Sequence, residues 1–136
     1  MNRVVRVVAA VIERDGLYLI TQRRKTAVLP LLWEFPGGKV EEGETDQDAV
    51  RREVMHRLGT TVHCGRLLNF VNHPYEHYTV DLYLYECKLP EGIEPRNLAV
   101  QDFRWVKSGD FEGYSFTPAD EASMSALLGE KLPPKA

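Results

Sequence analysis

The residues able to do chemistry crowd into positions 38–59. Glu41, Glu42 and Glu44 follow Gly38 in a carboxylate-rich stretch, and Glu53, His56 and Arg57 come shortly after. On a helix of 3.6 residues per turn, positions 53, 56 and 57 fall within about 100° of one another, so their side chains converge. Such a cluster has several uses. Glu53 and Arg57 stand four apart with the acid N-terminal, the favourable orientation for a helix ion pair. Glu53 with His56 offers mixed oxygen and nitrogen ligation, which suits zinc or manganese better than magnesium. Arg57 alone brings a planar, permanently charged guanidinium, a group well matched to phosphate.

A helix has to carry these positions, and the surrounding pattern supplies one. Thr45 is an N-cap with Asp48 three residues on, Val50, Val54 and Leu58 make an apolar stripe at spacing four, and Gly59 is the expected C-cap. Upstream, residues 3–12 are Val-rich and read as a buried strand, Asp15-Gly16 as a turn, and 17–21 as the second arm of a hairpin. Residues 24–31 read as loop and 32–35 as a short strand. Pro36-Gly37-Gly38 reads as a special backbone, its glycines permitting positive φ. Downstream, 61–71 and 77–87 read as strands, 89–100 as loop and 103–106 as strand. A second helix is expected from Thr117-Pro118, with Asp120 in its first turn, through Leu127-Leu128 to Gly129. Strands and two helices in this order predict an α/β (α+β) fold, a mixed sheet sandwiched between helices. Residues 1–131 are expected to form one domain, and 132–136 a flexible tail.

Composition narrows the partners. The chain has 136 residues, 43% hydrophobic and 27% charged, enough for one domain with a core needing no disulfide or metal. Seventeen basic against twenty acidic residues, a formal charge of −3, argue against binding a nucleic-acid polymer or a membrane surface. A small anionic ligand stays open, because local charge can oppose net charge. Cys64 and Cys87 match no close metal or redox spacing and are expected to be reduced thiols of a cytoplasmic protein. The apolar run 4–12 is too short to span a bilayer and lacks a cleavage site, so no signal peptide is read. His73, Glu76 and His77 fit no standard metal spacing and, with Tyr78, are expected near the mouth of a cleft.

Residues 38–59 resemble the Nudix box: Gly, five residues, Glu, seven residues, Arg-Glu, an apolar residue, one residue, Glu-Glu, one residue and Gly. Gly38, Glu44, Arg52, Glu53, Val54 and Gly59 fall in register. The lead-in Leu32-Trp33-Glu34-Phe35-Pro36-Gly37-Gly38-Lys39 resembles the MutT-like branch of that superfamily, and the likeness extends over about residues 4–128. The resemblance implies the Nudix fold and hydrolysis of a (deoxy)nucleoside triphosphate to monophosphate and pyrophosphate, with magnesium or manganese as cofactor. It assigns Glu53 as metal ligand or base, Glu44 as the residue that orients it, and Gly38 as donor of a backbone carbonyl. Arg52 would brace the loop. On the base side it implies Arg23, Phe35 and Asp120. An anionic Asp120 would only accept hydrogen bonds and so favour an amino group or ring N–H.

His56 and Arg57 stand where the pattern has its Glu-Glu pair, and Ala99 stands six residues before Trp105, where a further acid is often found. A divalent ion ~5 Å from one positive charge, at an effective dielectric of ~20, is repelled by roughly 7 kcal/mol before screening. Glu41 and Glu42 are the nearest replacement oxygens. The metal site implied by Gly38 and Glu53 is therefore incomplete, and Arg57 is expected to meet phosphate in the cation's place. Three readings follow. The first is a pyrophosphohydrolase impaired by lost ligands. The second is a metal-free protein that binds a nucleotide or nucleoside diphosphate derivative without efficient turnover. The third is a module that uses the fold to bind a protein partner.

Overall fold

The computed structural model describes residues 3–122. Strand β1 (Arg3–Arg14) is its spine. It turns through Asp15 (φ 53°) and Gly16 (φ 80°) into β2 (Leu17–Gln22), the left-handed pair that a two-residue hairpin needs. The chain continues through β3 (Trp33–Glu34), β4 (Gly37–Lys39), helix α1 (Asp46–Leu58), β5 (His63–Pro74), β6 (Tyr78–Lys88) and β7 (Asp102–Val106). β1 lies parallel to β6 along ten register pairs from Arg3↔Tyr78 to Ile12↔Cys87. β5 pairs antiparallel with β6, β4 with β1, and β2 with both β3 and β7. The result is the mixed sheet expected from sequence. Among the described residues, no helix is long and apolar enough to cross a membrane.

Alternation along β1 builds two cores. Val8, Ala10 and Ile12 point to one face and pack with Ala49, Val50, Val54 and Leu58 of α1. Ala9 and Val11 point to the other, where Phe35, Phe111 and Phe116 close the layer. Phe111 comes from a 3-10 turn, Ser108–Gly113, which periodicity did not reveal. Residues 118–122 are helical from Pro118 as expected, and the expected continuation to Gly129 and the 132–136 segment lie outside the described residues.

Gly37 and Gly38 need glycine for a reason other than the expected one. Neither has positive φ, and both sit in β4 against β1. A Cβ on Gly37 would overlap the Val8 carbonyl, and one on Gly38 would stand 2.5 Å from Cδ of Glu53. Close approach of backbone to neighbour, rather than turn geometry, excludes a side chain here.

Helix α1 is held at both ends. Thr45 accepts from the Asp48 N–H at 3.1 Å, and Gly59 (φ 66°) caps the C-terminus by donating to the Met55 carbonyl at 3.0 Å. Arg6 of β1 donates from Nε (2.9 Å) and Nη2 (2.8 Å) to the Asp46 carboxylate, and Tyr85 of β6 donates to it at 2.5 Å. At the other end the 89–100 loop folds over the last turn. Arg96 N–H donates to the Leu58 carbonyl (2.7 Å), and Leu98 and Ala99 N–H both donate to that of Arg57 (3.1 Å). The helix therefore offers its Glu53 and Arg57 side chains from a fixed base. Leu58 is fully buried, and Leu58→Ala is expected to lower unfolding free energy by about 2–5 kcal/mol in urea titrations. A loss under ~1 kcal/mol would contradict the packing described.

Candidate functional site

Glu53 is the centre of an alternating ladder of charges. Arg52 Nη1 donates to one of its carboxylate oxygens at 2.7 Å, and Arg57 Nε donates to the other at 2.8 Å. Arg52 also donates to both oxygens of Glu44, at 2.8 and 3.0 Å, and to the Lys39 carbonyl at 2.9 Å. On the far side, Arg57 Nη1 lies 3.9 Å from Glu34, which accepts from Arg23 at 3.2 and 3.3 Å. The ladder thus runs Glu44, Arg52, Glu53, Arg57, Glu34, Arg23, with charge alternating at each step.

The carboxylates respond to their neighbours. Arg52's hydrogen bond, helped by the Glu41 N–H, holds Glu44 well below the usual range, down to about 2. Burial pushes Glu34 upward against the pull of Arg23 and Arg57. Asp120 is also pushed up, first by burial and then by the charge of Glu34. It accepts from the Phe35 N–H (3.1 Å) and the Thr117 hydroxyl (2.7 Å), so it ties the start of the second helix to the end of β3.

Beside the ladder opens a cavity of about 690 Å³. Its apolar wall is Val5 and Val7 of β1 with their register partners Val80 and Leu82 of β6. Tyr75 and Tyr78 stack at 5.2 Å and 24° on the same wall, and Tyr75 accepts from the Ala119 N–H at 3.1 Å. Arg3, Arg23, Lys39 and Arg57 bring positive charge to it, and the acids on its wall are Glu34, Glu41, Glu53 and Asp120.

The structure gathers Arg23, Glu53, Arg57 and Asp120 into this one cavity. Other expected positions fall elsewhere. Phe35 is 2% exposed, with its ring among Phe111 and Phe116, so it reaches the site only through the backbone N–H that holds Asp120. His56 is exposed and off the cavity wall, which separates it from Glu53 as a co-ligand. His73 and His77 are not on the wall either, whereas Tyr78 is. Glu44 acts on Glu53 through Arg52 rather than by contact. Asp120 accepts at both carboxylate oxygens, from the Phe35 N–H and the Thr117 hydroxyl, while burial pushes its carboxyl upward. Glu34 was missed. The signal was an acid flanked by Trp33 and Phe35, two side chains of the opposite layer; in the sheet it lies across from Thr21, within reach of Arg23 two residues on.

The donor set does not fit a divalent cation cluster. Both Glu53 oxygens already accept guanidinium N–H groups, Arg57 occupies the neighbouring helix position, and the 89–100 loop brings Ala99 directly beside Arg57. At the position of the implied acid before Trp105 the chain has Ala99, which is tied by its N–H to the Arg57 carbonyl and is not on the cavity wall. Among the described residues, no three His, Cys, Asp or Glu groups converge as metal ligands.

The model of the NUDIX domain matches residues 7–126. The chain belongs to the NUDIX family. It is 36% identical over 127 residues, 93% of each chain, to the CTP pyrophosphohydrolase of Escherichia coli K12. To the 8-oxo-dGTP diphosphatase of Haemophilus influenzae it is 28% identical over 130 residues, 95% of each. These relatives place this NUDIX protein in the MutT-like branch. The solution structure of the E. coli ORF135 protein superimposes with a TM-score of 0.80 at 28% identity, covering 98% of this chain and 96% of that one. A MutT protein from Methanosarcina mazei Go1 does so at 0.85 and 20% identity, covering 97% and 98%. The NUDIX scaffold is thus present over nearly its whole length, with His56 and Arg57 set into its helix.

The raised carboxyls give the site a pH signature. A native Asp120 that binds its proton more tightly than the unfolded chain, whose aspartates titrate near ~4, loses stability as pH rises from about 4 toward neutrality. Glu34→Gln removes the charge that adds to this shift and is expected to flatten that slope in urea unfolding measured across pH. An unchanged slope would show that the two carboxyls do not interact.

Proposed function

We propose that this NUDIX protein binds a nucleoside phosphate, a triphosphate or a nucleoside diphosphate derivative, in the cavity, and that phosphoanhydride hydrolysis there is impaired. One observation carries the reading: both oxygens of Glu53 are engaged by Arg52 and Arg57. Hydrolysis of a pyrophosphate link requires cations that offset phosphate charge and an activated water. A carboxylate that accepts two guanidinium bonds is a poor base and a poor metal ligand, and helix positions 56 and 57 supply no carboxylate oxygen. Binding makes smaller demands. The cavity has the size of a small-molecule site, an apolar and aromatic wall suited to a base and sugar, and cations suited to phosphates. A cytoplasmic setting, in which the facing cysteines Cys64 and Cys87 stay reduced, is part of this reading.

Full hydrolase activity is the second reading, and the 36% identity to a CTP pyrophosphohydrolase favours it. In that case magnesium or manganese would be the cofactor. The two separate in a panel of nucleoside triphosphates assayed with magnesium, manganese or chelator, following products and thermal shift together. The proposed reading expects ligand-dependent stabilisation with little product. It further expects the His56→Glu, Arg57→Glu double variant to gain metal-dependent turnover of at least about tenfold, a barrier change of ~1.4 kcal/mol. Brisk turnover by the unsubstituted chain, abolished by Glu53→Gln, would establish the hydrolase instead. Neither stabilisation nor product would point to a protein partner.

A further inference from the structure

We propose that Arg57 is the phosphate anchor of the cavity, holding a ligand's phosphate directly in the absence of any divalent ion. The inference rests on the reading that the cavity takes a nucleoside phosphate, and it adds which group binds the phosphate and that no metal is required. Arg57 lines the cavity, and its side chain keeps 24% of its exposure. Its Nε is fixed to Glu53 at 2.8 Å, and its backbone carbonyl is held by Leu98 and Ala99. Among the described residues its two Nη groups donate no hydrogen bond, and Nη1 lies 3.9 Å from Glu34. A guanidinium fixed at Nε, with Nη1 in a long ion pair to Glu34 and neither Nη group in a hydrogen bond, presents a planar fork to whatever enters. That is the geometry in which arginine binds phosphate oxygens in pairs.

The surroundings favour an anion. Arg23 faces the same Glu34 carboxylate at 3.2 Å, so two guanidiniums flank one acid. Lys39 and Arg3 lie on the same wall. Burial pushes the Glu34 and Asp120 carboxyls upward, which weakens their hold on the neighbouring guanidiniums. Arg52, by contrast, is spent on Glu44, Glu53 and the Lys39 carbonyl, so it braces the loop and does not compete for ligand.

A rival account makes Arg57 a mere neutraliser of Glu53: its removal would expose a carboxylate that repels phosphate from a distance. The test therefore uses a double variant. Isothermal titration calorimetry in EDTA, with CTP and with inorganic pyrophosphate as probes, is run on the unsubstituted chain, Arg57→Ala, Arg57→Lys and Arg57→Ala with Glu53→Gln. Direct anchoring predicts metal-free binding of at least one probe and a roughly ten- to hundredfold loss in Arg57→Ala. It also predicts partial retention in Arg57→Lys and a loss in the double variant as large as in Arg57→Ala. Recovery of affinity in the double variant overturns the proposal, since neutralisation alone would then suffice. So does unchanged affinity in Arg57→Ala, or binding that appears only when magnesium is added; in both cases the nucleotide-binding reading survives. Absence of binding by the unsubstituted chain under every condition overturns both. The double variant removes both charges of the pair, so a folding defect from an unpaired Glu53 does not obscure the result.

Discussion

One carboxylate shared between two guanidiniums governs this site. Glu53 sits on a fixed helix, against a glycine with no room for a side chain, and divides its oxygens between Arg52 and Arg57. Each partner has a second allegiance, Arg52 to Glu44 and Arg57 to the vicinity of Glu34, so none of the charges stands alone. A partly buried acid without a counter-charge is costly, and the usual remedy in a phosphate-handling site is a bound cation. Here the remedy is built from the chain itself. The guanidiniums supply permanent positive charge without the open coordination positions that would polarise a water.

The fold serves this arrangement from several directions. Arg6 and Tyr85 draw Asp46 to the sheet, and the 89–100 loop grips the opposite end of the helix. The loop's Leu98 and Ala99 N–H groups cap the Arg57 carbonyl and fix the turn from which its side chain springs. Gly38 lets the backbone of β4 come against Glu53, while its neighbour Lys39 gives a carbonyl to Arg52 and a side chain to the cavity wall. The apolar floor follows from the parallel pairing of β1 with β6, which aligns Val5 with Val80 and Val7 with Leu82. A side chain at Gly38 would strike Glu53 itself, whereas a change in the other layers would reach it through backbone position.

Much of this was legible in the sequence where local rules act. The helix with its Thr45 and Gly59 caps, the Asp15-Gly16 hairpin and the convergence of Glu53 with Arg57 are set by spacings of a few residues. What was not legible depended on long-range contact. The two glycines of Pro36-Gly37-Gly38 are extended, because the neighbour that excludes their side chains is β1 for one and Glu53 for the other, neither near in sequence. Phe35 was expected against a base, but its ring completes a core with Phe111 and Phe116, whose elements arrive from seventy or more residues away. Glu34 passed unnoticed because nothing nearby in sequence shows that Arg23 and Arg57 meet there. His56 illustrates the reverse error, since helical-wheel proximity does not ensure that a side chain turns toward the cavity.

The central claim is that Glu53 is committed to arginine and closed to divalent cations. Backbone amide NMR of the unsubstituted chain during a manganese titration addresses it directly, because a paramagnetic ion broadens the resonances nearest to where it binds. The account predicts no saturable broadening centred on Gly38 and Glu53. Broadening that saturates at those two amides at low manganese would contradict it and would place a working metal site in the helix after all.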